Sequence, residues 1–101
     1  HPRGRVVVDE GAVHALVERG RSLLPAGILD VEGSFGIGDP ISCVDERNRE
    51  VARGLAAYAS ADVNRIKGVS TRRITQLLGY SNGDEVIHRD DLVLLGSDGK
   101  G

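Results

Sequence analysis

The spacing of hydrophobic and polar positions changes several times along the chain, and each change marks an element. Arg5-Val6-Val7-Val8-Asp9 is a β-branched run of strand character. Asp9 then offers a cap for a helix from Glu10 to Arg19. Val13, Leu16 and Val17 share one face of it, and Glu10, His14 and Glu18 the other. Gly20 supplies the stop, and Leu23 to Gly27 reads as a turn carrying Pro25. From Ile28 the period becomes two: Leu29 and Val31 alternate with Asp30 and Glu32 up to Gly33. Gly38-Asp39-Pro40 turns the chain into a strand over Ile41 to Val44. Asp45 to Arg49 makes a hairpin loop, with Val51 to Tyr58 as the returning strand. Ser60 and Ser70 are placed to cap two short helices, one holding Val63 and Ile66, the other Ile74, Leu77 and Leu78 before Gly79. Val86-Ile87 and Leu92 to Leu95 close the series as strands. The pattern predicts a mainly β chain with short helices, an α+β class, built as a partly open barrel.

Composition adds limits to this picture. The 101 residues suffice for one domain, able to bury roughly 65% of the surface of its unfolded chain. No apolar run is long enough to span a bilayer as a helix, so no membrane partner is expected. The single cysteine, Cys43, has no partner for a disulfide and no neighbours at metal-ligand spacing; a buried, inert thiol in a cytoplasmic protein is the expectation. Net charge is −2, a weak footprint for a dedicated nucleic-acid binder. The ends read as a linker over 1–4 and a tail over 96–101 around a domain of 5–95, as in a piece cut from a longer protein.

Four passages carry a resemblance that spacing alone would not supply. Val8-Asp9-Glu10-Gly11-Ala12 with Arg21 to Ile28, and Val31 to Phe35 with Gly38-Asp39, resemble PUA domains. Ala52 to Tyr58 and Glu85 to Leu95 look like the version of that domain found in bacterial glutamate 5-kinases. The resemblance implies a pseudo-barrel of about six strands, appended to an amino-acid-kinase domain of the same chain. It implies a parent that transfers the γ-phosphate of ATP, with magnesium, to the side-chain carboxylate of glutamate, the first step of proline biosynthesis, and that forms a homo-oligomer. No position here matches a catalytic residue of that kinase, so the fragment is read as non-catalytic, without cofactor or metal of its own.

Candidate chemistry is sparse. His88-Arg89-Asp90 is similar to the start of a protein-kinase catalytic loop, but the asparagine needed five positions after the aspartate is Leu95. A polar turn before the last strand is the expectation, and Arg89, Asp90 and Asp91 are candidate interface residues. Gly33-Ser34-Phe35-Gly36-Ile37-Gly38 has the wrong glycine spacing for a dinucleotide site and lies between strands. His14 and His88 belong to no motif of defined spacing. One locally basic stretch holds Arg65, Lys67, Arg72 and Arg73, opposed by Asp62. PUA domains of RNA-modifying enzymes contact RNA near their first helix and the glycine turn after it. The resemblance therefore adds Arg19, Arg21 and Gly27 as RNA candidates, with an RNA-binding module as the alternative function. Only Phe35, Tyr58 and Tyr80 could stack on bases.

Overall fold

The computed structural model describes residues 2–95; the tail read at 96–101 lies outside them. The chain forms β1 (Gly4–Val8), α1 (Glu10–Val17), β2 (Ile28–Gly33), β3 (Pro40–Val44), β4 (Glu50–Leu55), α2 (Ser60–Ile66), α3 (Ile74–Leu78) and β5 (Leu92–Leu94). The strands make one mixed sheet in the order β2-β1-β3-β4-β5. β1 and β3 run parallel, which requires a crossover, and the other neighbours are antiparallel.

Asp9 caps α1 as its position suggests, its Oδ1 accepting the Ala12 N–H at 2.8 Å. Gly79 ends α3 in the left-handed conformation that its missing Cβ permits. The hairpin loop is tied by Asp45, whose Oδ1 accepts both the Arg47 and the Arg49 N–H at 2.9 Å. Alternation along β1 and β3 sends Val6, Val8, Ile41 and Cys43 into the core, where they meet Leu16 of α1, Val63 and Ile66 of α2 and Ile74 of α3. Each such side chain contributes about 1.5–3 kcal/mol by leaving water.

Several expectations are corrected. Five strands form among the described residues instead of about six: Val86-Ile87 makes only an isolated bridge with Leu23. Both residues are buried apolar side chains, so their β-branched character serves the core without a ladder. β4 stops at Leu55, and residues 56–58 turn inward to bury Tyr58. α1 ends at Val17, and Gly20 adopts a positive φ only after a further turn. The cap residue of α2 is Ala59; the Ser60 hydroxyl instead accepts the Phe35 N–H at 3.2 Å. Ser70 caps a 3₁₀ turn over Thr71–Arg73 that leads into α3. On β2 a register shift opposite Val7/Val8 leaves Leu29 outside the pairing, which breaks the alternation and exposes it.

Candidate functional site

One of the larger concavities, of about 630 Å³, is a groove where three separate stretches of chain converge. The start of α1 forms one wall with Asp9, Gly11 and Ala12, and the connection from Arg21 to Gly27 forms the floor. Glu85, His88 and Arg89 form the far side. Each stretch is held by backbone geometry. Gly27 accepts the Asp9 N–H at 2.9 Å and lies so close to α1 that a Cβ on it would stand 2.6 Å from the Ala12 Cβ. The Arg21 N–H reaches the Ala15 carbonyl at 3.0 Å, and Leu23 exchanges hydrogen bonds with Val86 and Ile87 at 2.8 and 2.9 Å. The Arg89 N–H donates to the Ser22 hydroxyl at 2.8 Å.

His88 sits at the head of a 3₁₀ turn over Arg89–Asp91, and its Nδ1 accepts the Asp90 N–H at 3.1 Å. In the neutral ring that bond leaves the proton on Nε2. Among the described residues neither Arg21 nor Arg89 has a carboxylate within salt-bridge distance. Two guanidinium groups, an imidazole and a hydroxyl therefore share the groove with the carboxylates of Asp9 and Glu85. Such a set can hold a planar anion at the arginines while the acidic side limits how much negative charge enters.

Of the residues singled out from sequence, the fold brings Arg21, Gly27 and Arg89 together in this groove. Arg19 follows α1 on the surface and does not line it. The basic stretch is largely engaged in local structure. Arg65 donates to the Leu77 carbonyl at 2.7 Å, at the end of α3. Lys67 bonds the Asn64 side chain at 2.7 Å and lies 3.7 Å from Asp30. Arg73 reaches Gln76 at 3.5 Å, and Arg72 is exposed. Asp90 and Asp91 face solvent in the turn beside the groove. His14 pairs with Glu18 at 2.8 Å along α1. Sequence reasoning missed Ser22 and Glu85 as lining residues. Their only signal is the Leu23–Ile87 bridge, a contact across 64 positions that no local pattern announces. Among the described residues no group of three or more His, Cys, Asp or Glu side chains could hold a metal ion, and no helix is long and apolar enough to cross a membrane.

Residues 4–78 match the family model described as PUA domain. This chain belongs to the PUA domain family. A solved PUA domain from Aeropyrum pernix, crystallised as a tartrate complex, superposes with a TM-score of 0.62 at 29% identity, covering 85% of this chain and 41% of that one. The α+β PUA fold is thus seen in both sequence and coordinates. A glutamate 5-kinase from Saccharophagus degradans is 54% identical over 94 residues, covering 93% of this chain and 25% of that protein. One from Caldanaerobacter subterraneus is 53% identical over 92 residues, covering 91% of this chain and 25% of that protein. The matching part is the C-terminal region of those kinases. The PUA domain spans about a quarter of the length of these relatives.

Proposed function

We propose that this PUA domain is the non-catalytic accessory part of a glutamate 5-kinase, acting in the assembly or regulation of that enzyme. The observation that carries the reading is the identity of more than half over nine-tenths of the domain, confined to the C-terminal quarter of the kinases. On this reading the remaining three quarters phosphorylate the side-chain carboxylate of glutamate, using ATP and magnesium. The kinase domain of the same chain is the first partner, a homo-oligomer is the working form, and the cytoplasm is its location. The test is a phosphoryl-transfer assay on the longer protein with glutamate, ATP and magnesium, beside the same assay on residues 1–101. Turnover by the longer protein and none by the domain is the expected result. An inactive, well-folded longer protein, or an active domain, would overturn it.

A second reading, weak RNA binding, is favoured by one observation: the groove gathers Arg21, Arg89 and Gly27 on a PUA scaffold. With a net charge of −2 the affinity expected is non-specific, no tighter than about 10⁻⁴–10⁻⁶ M at physiological salt. A tRNA titration at several salt concentrations tests it, and nanomolar binding that survives raised salt would make RNA the main function.

A further inference from the structure

The outer face of the sheet is polar over most of its width. Arg5 pairs with Glu32 at 2.5 Å and with Asn48 at 3.0 Å, while Glu50 accepts from Arg53 at 2.7 Å and from Ser42 at 2.6 Å. One corner departs from this. The β3–β4 register sets Pro40 opposite Leu55, and the β4–β5 register sets Val93 opposite Arg53, two residues from Leu55 on the same face. The turn carrying Ile37 is fastened beside them, the Gly38 N–H on the Ala56 carbonyl at 2.7 Å and the Ala56 N–H on the Asp39 carbonyl at 3.0 Å. Leu55 is 45% exposed, Val93 63% and Ile37 64%. Scattered apolar side chains are normal on a surface; several brought to one edge of a sheet ask for a cover.

We infer that this corner, formed by Ile37, Pro40, Leu55 and Val93, is where the preceding part of the longer protein docks. The inference rests on reading the chain as the accessory domain of a kinase. The position of the incoming chain names the occupant. The Arg3 N–H donates to the Pro40 carbonyl at 2.9 Å, so the polypeptide enters the domain at the apolar corner itself. The relatives match through their C-terminal region and are about four times as long, so three quarters of such a protein lies upstream of that point. Arg3 lies 3.9 Å from Asp39, and Arg53 is held by Glu50, which gives the corner the charged rim usual around an apolar contact. β5, three residues long and carrying Val93, is the edge strand of the sheet, so among the described residues no further strand flanks the corner on that side.

The experiment is hydroxyl-radical footprinting of the unmodified longer protein, with oxidation at each site normalised to side-chain reactivity. Leu24, 44% exposed in the groove, and Leu29, 46% exposed at the β2 register shift, are the internal references. Several-fold less oxidation at Ile37, Leu55 and Val93 than at the references, unchanged by dilution or nuclease, is the expected result. Equal oxidation would overturn the inference. Protection lost on dilution would assign the corner to a second copy, and protection lost with nuclease would assign it to RNA; either also overturns it. Phosphoryl transfer assayed on the same preparation scores the kinase reading separately: an inactive protein with a protected corner fails that reading alone.

Discussion

Gly27 packs against Ala12 at a distance that leaves no room for a side chain: a Cβ built on Gly27 would stand 2.6 Å from the Ala12 Cβ. The contact fixes the start of α1 over the turn and so sets the width of the groove. Gly27→Ala should therefore push the helix away and cost about 1–3 kcal/mol, as overpacking does. Urea denaturation of residues 1–101, followed by fluorescence and circular dichroism, measures this. The parent domain should unfold in one coincident transition, with the variant's midpoint shifted down. An unchanged midpoint would mean that the helix is free to move.

Tyr58 provides a second test. Its ring is fully buried, and its hydroxyl donates to the Gly83 carbonyl at 2.5 Å while accepting the Asn82 N–H at 2.8 Å. Tyr58→Phe keeps the packing, takes away the Asn82 N–H partner and leaves the Gly83 carbonyl only the Ser81 hydroxyl at 3.3 Å. Asn82 and Gly83 are exposed, so water replaces part of the loss and the cost should stay near about 1 kcal/mol. Hydrogen exchange should quicken over residues 80–84 well before the core strands respond. Uniform quickening across the domain would show that the hydroxyl supports the whole fold.

These residues also show what the sequence made legible. The Asp9 cap, the Asp45 loop, the Gly79 stop and the buried Cys43 follow from side-chain chemistry acting within a few residues. The local pattern puts Tyr58 in a strand, because its partners lie 24 and 25 positions away and leave no local mark. The same holds for the groove. The family resemblance points to Arg21 and Gly27, whereas Ser22 meets Arg89 across 67 positions and depends on the tertiary fold.

The β3–β4 hairpin should make stability sensitive to acid. Hydrogen bonds from the Arg49 backbone hold the Asp45 carboxyl below its ordinary 3.8, and the Arg53 guanidinium does the same for Glu50 below 4.5. Lowered folded-state values mean that the unfolded chain binds protons first, so this contribution is complete above about pH 5 and fades as the pH falls through the folded values. Combining Asp45→Asn with Glu50→Gln should lower stability at neutral pH and flatten the loss between about pH 5 and 3. Urea midpoints across that range measure it; a variant with the parent's acid slope would place the sensitivity elsewhere.

Burial pushes the Cys43 thiol up to about 12, with the nearby Glu50 charge adding to it. A neutral, enclosed thiol is a poor nucleophile. A disulfide reagent at pH 8 should label Cys43 only as fast as the domain unfolds, and urea should accelerate labelling in step with the unfolded fraction. Rapid labelling of the native protein would reveal a local opening of β3. The same raised value has no effect on stability below pH 9.0, where the thiol is neutral folded and unfolded, and costs stability as the pH rises from there towards about 12, because the unfolded chain gives up the proton first.

The central claim is that this PUA domain serves a kinase without performing its chemistry. A group acting on a transferring phosphoryl must lie within hydrogen-bond reach of it, and on this account that constellation resides in the upstream three quarters of the protein. The most direct measurement compares the longer protein with a version lacking residues 1–101, in steady-state glutamate phosphorylation with a proline titration, alongside light scattering for mass. The account predicts glutamate-dependent turnover largely retained, with the mass or the response to proline altered. Differential contacts of about 1–3 kcal/mol are enough for such a shift. A truncated protein that is folded yet catalytically dead would contradict the accessory role. One unchanged in turnover, proline response and mass would contradict the assembly and regulatory role.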